Sequence, residues 1–288
     1  MNARDYRVFT EALIRNLATD DRVLGLVACG SMAAINSMAA INSMAAINSV
    51  AAADSVANRD HAPDVWSDHD FWIITVPGAQ EHFRAVYDWL PDAGGIVFAL
   101  RETAHGLKIL YAGGHLIEYA VFAPDELSLT KANATRVLLD RERITARMAE
   151  VRARTVEWAA SQASDDRWLF GQFLTNLWVG VGRHRRGERL SGHDFVKRQA
   201  VGHLLPLLVR HGQAERRDML DDIDPLRRFE FAFPQIGTEL NRLLLLETPA
   251  CAAGLLDLAG RQLRGRLPDY PDAAVDVIRR HIESAHSG

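Results

Sequence analysis

The sequence predicts an α+β fold: a mixed β-sheet with flanking helices over residues 1–130, followed by an α-helical domain over 131–288. Three observations predict it. Short apolar, β-branched runs punctuated by glycine recur between residues 23 and 122, as strands and hairpins do. Beyond about residue 136 the apolar residues recur at three- and four-residue intervals instead, the period of amphipathic helices. The composition, 48% hydrophobic and 24% charged over 288 residues, is that of a globular chain with enough apolar surface for a sizeable core.

Tyr6, Phe9, Leu13 and Leu17 lie at helical spacing and predict a first helix over 5–17, broken by Asp20 and Asp21. Residues 23–29 form a nearly continuous apolar run, read as a buried strand ending at Gly30-Ser31. A second strand is predicted over 71–76 and a helix over 81–89. Three more strands follow over 96–100, 107–111 and 115–122, set off by Gly94-Gly95, by His105-Gly106 and by Gly113-Gly114. The change of character places the domain boundary within 124–145. Helices are then predicted over 136–162, 168–181, 195–210, 239–246 and 273–281.

Between the first two strands lies a tandem repeat. Residues 31–36, 37–42 and 43–48 are identical copies of Ser-Met-Ala-Ala-Ile-Asn, and 49–54 and 55–60 are decayed copies in phase with them. Six residues is far below the period of helical solenoids or propellers. A stripe of Met and Ile every three residues drifts around an α-helix and does not hold one face. The segment therefore reads as a tandem expansion of a surface loop or helix start. A straight helix over 32–56 would be about 37 Å long, and residues 57–67 could return only about 36–40 Å, so a bent or looped insert is expected.

Charge and composition exclude several classes. Lys and Arg number 33 against 37 Asp and Glu, a formal charge of −4, so no bulk attraction to nucleic acid or to an anionic membrane surface is expected. Cys29 and Cys251 are too few for a disulfide framework. The greasiest stretch, 243–258, holds Glu247, Pro249 and Asp257 and falls short of a membrane span. With no apolar signal core near Met1, a cytoplasmic protein is expected; a homodimer is left open.

The chemistry is concentrated where the first strand ends and the second begins. Alternation along a strand points Asp68 and Asp70 the same way and His69 the other. Two carboxylates about 7 Å apart on one face suit divalent cations that hold a triphosphate. Gly30-Ser31 offers backbone N–H groups and a hydroxyl to phosphate oxygens. Glu118 lies in an otherwise apolar strand, where an acid is costly unless paired or bound to metal. Asp222-Ile-Asp224 repeats the acidic spacing but has no glycine-terminated strand before it, and Pro225 follows at once, so it reads as a loop.

These residues, Gly30-Ser31 with Pro63-Asp-Val-Trp-Ser-Asp-His-Asp-Phe-Trp-Ile-Ile-Thr75, resemble the nucleotidyltransferase superfamily of DNA polymerase β type. Within it, they resemble the aminoglycoside and lincosamide nucleotidyltransferases of antibiotic resistance. The resemblance spans roughly residues 20–125 and also suits a helical second domain. It implies a nucleotidyltransferase-type sheet and Mg²⁺ with ATP as nucleotide donor. Asp68, Asp70 and Glu118 would be metal ligands and catalytic groups, with Gly30 and Ser31 at the phosphates. It further implies two-metal transfer of a nucleoside monophosphate to a small-molecule hydroxyl acceptor. The chain departs from the family in the 37 positions between Ser31 and Asp68. Deleting 31–54 would leave Gly-Ser-Val-Ala-Asn-Arg-Asp before His61 and restore a family-like spacing.

The densest basic cluster, Arg-His-Arg-Arg-Gly-Glu-Arg at 183–189, offers Arg185 or Arg186 as a phosphate ligand and Glu188 as a general base, with a solvated helix end as the plainer reading. Lys197 is a second phosphate candidate. His184, His193 and His203 are nine and ten positions apart, with no metal-ligand pattern. The alternative function is a nucleotide-binding or partner-binding protein of the same fold, its catalysis impaired by the insert.

Overall fold

Every residue of Val23–Val27 is buried, and this strand, β1 (Val23–Cys29), organises the sheet. In the computed structural model, residues 3–30, 66–161, 164–221 and 223–284 are described. Ser31 and the repeat, with the bent or looped form expected for it, lie outside the described residues. The chain divides into two compact units, Met1–Trp158 and Ala159–Gly288.

In the first unit, α1 (Ala3–Ala18) precedes β1, and β2 (His69–Thr75) and α2 (Gln80–Ala85) lead to β3 (Ile96–Arg101), β4 (Gly106–Tyr111) and β5 (Leu116–Phe122). A sixth strand, β6 (Thr135–Asp140), and α3 (Ile144–Ser161) follow. The sheet order is β3-β4-β5-β2-β1-β6, with β2 and β5 parallel and every other pair antiparallel. This is the mixed sheet with flanking helices that the sequence predicts. The α1 stripe of Tyr6, Phe9, Leu13 and Leu17 packs with Phe71, Ile73 and Tyr119 on one face. Ile144, Met148 and Val151 of α3 pack with Leu24, Val27 and Ile74 on the other. Burying such side chains contributes about 1.5–3 kcal/mol each before entropy is counted. Gly25 permits the close approach of α3, since a Cβ there would fall 2.7 Å from Ile144 Cγ1.

Three expectations are corrected in this unit. The helix expected over 81–89 stops at Ala85: Val86 is extended, and its carbonyl accepts from the Trp89 indole at 2.7 Å. Residues 136–140, expected to be helical, belong to β6, which pairs with β1 from Gly25↔Asp140 to Cys29↔Thr135. The break between the units therefore falls at 158/159 and not at 130/131. Arg141 reinforces that attachment by donating to the carbonyls of Asp20 at 2.8 Å and Val23 at 3.1 Å. Asp140 then starts α3 by accepting from the Ile144 and Thr145 amides.

The second unit is helical, as predicted. It comprises α4 (Asp166–Arg185), α5 (Arg189–His193), a π-helical stretch (Asp194–Ala200) running into α6 (Val201–His211), α7 (Phe229–Ala232), α8 (Pro234–Leu244), α9 (Thr248–Leu263) and α10 (Asp272–Glu283). Its core holds Phe170, Phe173, Leu177 and Val181 of α4 against Leu204 and Leu208 of α6 and Leu255 and Leu256 of α9. Helix α9, for which the sequence predicts no helix, overlaps the apolar run 243–258 and buries Cys251, Ala252, Leu255, Leu256, Ala259 and Leu263 at helical spacing. No helix among the described residues is long and apolar enough to cross a membrane.

Candidate active site

β1 ends where its antiparallel neighbour β2 begins, with Ala28 opposite Phe71. That pairing brings Gly30 to the same end of the sheet as Asp68 and Asp70. Gly30 has φ +53°, a left-handed conformation that a side chain disfavours, so the turn out of β1 suits glycine. One residue into β2, Asp70 stands opposite Glu118 in the parallel register with β5, and Glu118 stands opposite Lys108 of β4. Side chains at matched positions of neighbouring strands share a face. Asp68, Asp70 and Glu118 accordingly converge, each offering a carboxylate oxygen, all within 4.8 Å of one another, and each is half-buried. The sequence-predicted metal triad is thus brought together.

Lys108 adds a cation to that row, its Nζ 3.3 Å from Glu118 and 3.0 Å from Glu102. The Glu102 carboxylate, and after it Glu118, raises the Lys108 pKa above its ordinary value. Burial, then the Asp70 charge, pushes the Cys29 thiol up, so it stays protonated and unreactive. Lys108 did not stand out in the sequence. Its signal was the register of the 107–111 and 115–122 strands, which turn spacing alone leaves undetermined.

His69 points to the opposite face, as alternation predicts, and is fully buried. It stacks on Tyr6 with centroids 3.6 Å apart. Its Nε2 lies 3.2 Å from the Tyr6 carbonyl and its Nδ1 2.7 Å from His115 Nε2. A carbonyl can only accept, so Nε2 carries the His69 proton and Nδ1 accepts from the His115 N–H. Burial, reinforced for His69 by His115, lowers the pKa of His69 to about 3, and burial lowers that of His115 to about 4. Both rings are neutral at pH 7. The Tyr6 hydroxyl donates to the Asp68 carbonyl at 2.8 Å. The backbone carrying the acids is thereby tied to α1.

Comparison with protein-family models matches none, and comparison with curated proteins finds no similar sequence. Among solved structures, the chain is similar to the crystal structure of an aminoglycoside 6-adenyltransferase from Bacillus subtilis. The identity is 13%, over 95% of this chain and 97% of that one, with a TM-score of 0.30.

The remaining sequence-predicted residues lie in the second unit, apart from Ser31, which is outside the described residues. Arg186 and Glu188 flank Gly187 in the turn between α4 and α5 and pair with each other at 3.0 Å, with Arg183 3.9 Å from the same carboxylate. Lys197 sits half-buried on the π-helical stretch. Its charge is felt at Cys251, whose thiol burial nonetheless raises to about 11.

Proposed function

We propose that this protein is a nucleotidyltransferase that moves a nucleoside monophosphate, AMP from ATP, to a hydroxyl of a small molecule. The observation that carries the reading is the convergence of Asp68, Asp70 and Glu118 beside the Gly30 turn. The donor set is all oxygen, with no nitrogen or sulfur, which fits Mg²⁺. When bound, Mg²⁺ would supply the positive charge that neutralises the phosphates and the departing pyrophosphate.

In this reading the chain's own residues divide the work. Asp68 and Asp70 would hold the metal-bound nucleotide, and Gly30 and Ser31 are the residues assigned to its phosphates. The acceptor oxygen attacks the α-phosphorus in line, the bond from that phosphorus to the β-phosphate bridging oxygen breaks, and pyrophosphate leaves. The hydroxyl proton passes to a carboxylate. Glu118 completes the metal set or takes that proton, with Lys108 holding one side of its charge in either role. Glu188, Arg186 and Lys197, offered by the sequence as a general base and phosphate cations, lie in the second unit and carry no step in this reading. The acceptor class, an aminoglycoside or lincosamide, rests on the resemblance of residues 20–125 alone.

The test is incubation of the protein with Mg²⁺–ATP and a panel of both antibiotic classes, read by mass spectrometry. An acceptor heavier by one AMP, absent with an Asp68→Ala, Asp70→Ala double variant, is the expected result. No adduct with any nucleoside triphosphate, from the full chain or from a 31–54 deletion, overturns the reading.

A further inference from the structure

The second unit holds a cluster that the carboxylate site does not use. Helices α4 and α5 meet through glycine: a Cβ on Gly192 would fall 2.9 Å from the Gly180 carbonyl and 3.0 Å from His184 Cβ. With bare backbone at the contact, α5 lies against the last turns of α4. His184, in the last turn of α4, and His193, the last residue of α5, therefore face each other, ring centroids 6.2 Å apart and planes within 17°. Glu247, the residue before α9, brings its carboxylate to 4.0 Å from His184 Nε2. One donor atom from each of the three lies within 4.8 Å of the others. The nine-residue spacing of the two histidines gave no such indication, because a helix–turn–helix and not one helix face joins them. His203, the third histidine of that sequence set, is elsewhere, its Nδ1 donating to the Gln199 carbonyl.

We infer that His184, His193 and Glu247 form a transition-metal site of Zn²⁺ type, with one coordination position open to water or to a ligand's donor atom. Two imidazoles and one carboxylate are a zinc donor set, whereas the three carboxylates of the first unit suit Mg²⁺, so the two sites differ in the metal they select. His184 Nε2, the ring nitrogen 4.0 Å from Glu247, is the donor this arrangement offers, and the ring's Nδ1 is buried with no hydrogen bond among the described residues. Arg185 is turned away, donating to the His281 and Ile282 carbonyls at 2.7 Å each. Glu247 is 78% exposed and free to rotate inward.

The test uses full-length, tag-free, metal-stripped protein carrying Asp68→Asn and Asp70→Asn, so that the carboxylate site is silent. Co²⁺ is titrated in and followed by its visible absorption, then displaced with Zn²⁺ against a competing chelator. One equivalent of Co²⁺ with the intense bands of a four- or five-coordinate ion is expected. His193→Ala and Glu247→Ala, both on side chains outside the core, each weaken Zn²⁺ binding at least about tenfold with helix content unchanged by circular dichroism. No Co²⁺ bands, or Zn²⁺ affinity unchanged in both variants, overturns the inference. A failure of nucleotidyl transfer does not bear on it, since the readout is metal binding in the other unit.

Discussion

Glu118 stands opposite Asp70 across the parallel β2–β5 pair, and its carboxylate is shared with Lys108 at 3.3 Å. The row reads acid, acid, base across three strands, with Asp68 adding a third acid from just before β2. Among the described residues, these three carboxylates each bring an oxygen within 4.8 Å of the others in a half-buried place, with the Lys108 ammonium on Glu118. At an effective dielectric near 20, a like-charged pair at that distance costs about 3–4 kcal/mol, and much less where solvent and salt screen it. An arrangement that is costly without a cation is what a cation site requires.

Removing one acid should therefore stabilise the metal-free fold. Asp68→Asn is expected to raise the thermal midpoint in EDTA by about 2–4 °C, equivalent to about 1 kcal/mol. Mg²⁺ should raise the wild-type midpoint and leave that of the variant nearly unchanged. Differential scanning calorimetry with and without Mg²⁺ reads both effects. A variant less stable than wild type in EDTA contradicts the electrostatic account.

The buried His69–His115 pair makes stability fall on the acid side. Both folded-state pKa values are depressed, to about 3 and about 4, so the full contribution is present above the unfolded value near 6.5. As pH falls below 6.5 the unfolded chain takes up protons that the folded rings refuse, and stability drops until the folded values are reached. Each ring contributes a slope of up to about 1.4 kcal/mol per pH unit in that window. Urea unfolding between pH 7 and 4.5 should show the loss, and His115→Gln should make the slope shallower. An unchanged slope in that variant would show that the ring is not held neutral by the fold.

Because β6 and α3 complete the first unit, a fragment ending at residue 130 is expected to stay unfolded. It leaves β1 without its outer partner and uncovers Leu24, Val27 and Ile74. A fragment ending at residue 161 keeps both elements and should unfold cooperatively. Circular dichroism melts of the two fragments decide it, and cooperative folding of the shorter one contradicts the assignment of β6.

The strands β1 to β5 were legible because each is a short apolar run closed by glycine or a polar turn, and the acids were legible because alternation on β2 is a local property. β6 was not: Arg136 and Asp140 merge with the charged stretch at 141–147, and six residues are too few for a period to separate strand from helix. Lys108 and Tyr6 were missed for another reason. Strand register places one, and the packing of α1 across the sheet places the other. Both are long-range consequences that spacing within a single run does not encode. His184 and His193 meet only because Gly180 and Gly192 let two helices touch.

The central claim, that Asp68, Asp70 and Glu118 together hold a divalent cation with a nucleotide, is tested most directly by electron paramagnetic resonance of Mn²⁺. Free Mn²⁺ is measured on titration into the protein with a non-hydrolysable ATP analogue, for wild type, Asp70→Asn and Glu118→Gln. The account predicts nucleotide-dependent Mn²⁺ binding in wild type, weakened by at least about tenfold in each variant. Mn²⁺ binding of equal strength in all three proteins would contradict it.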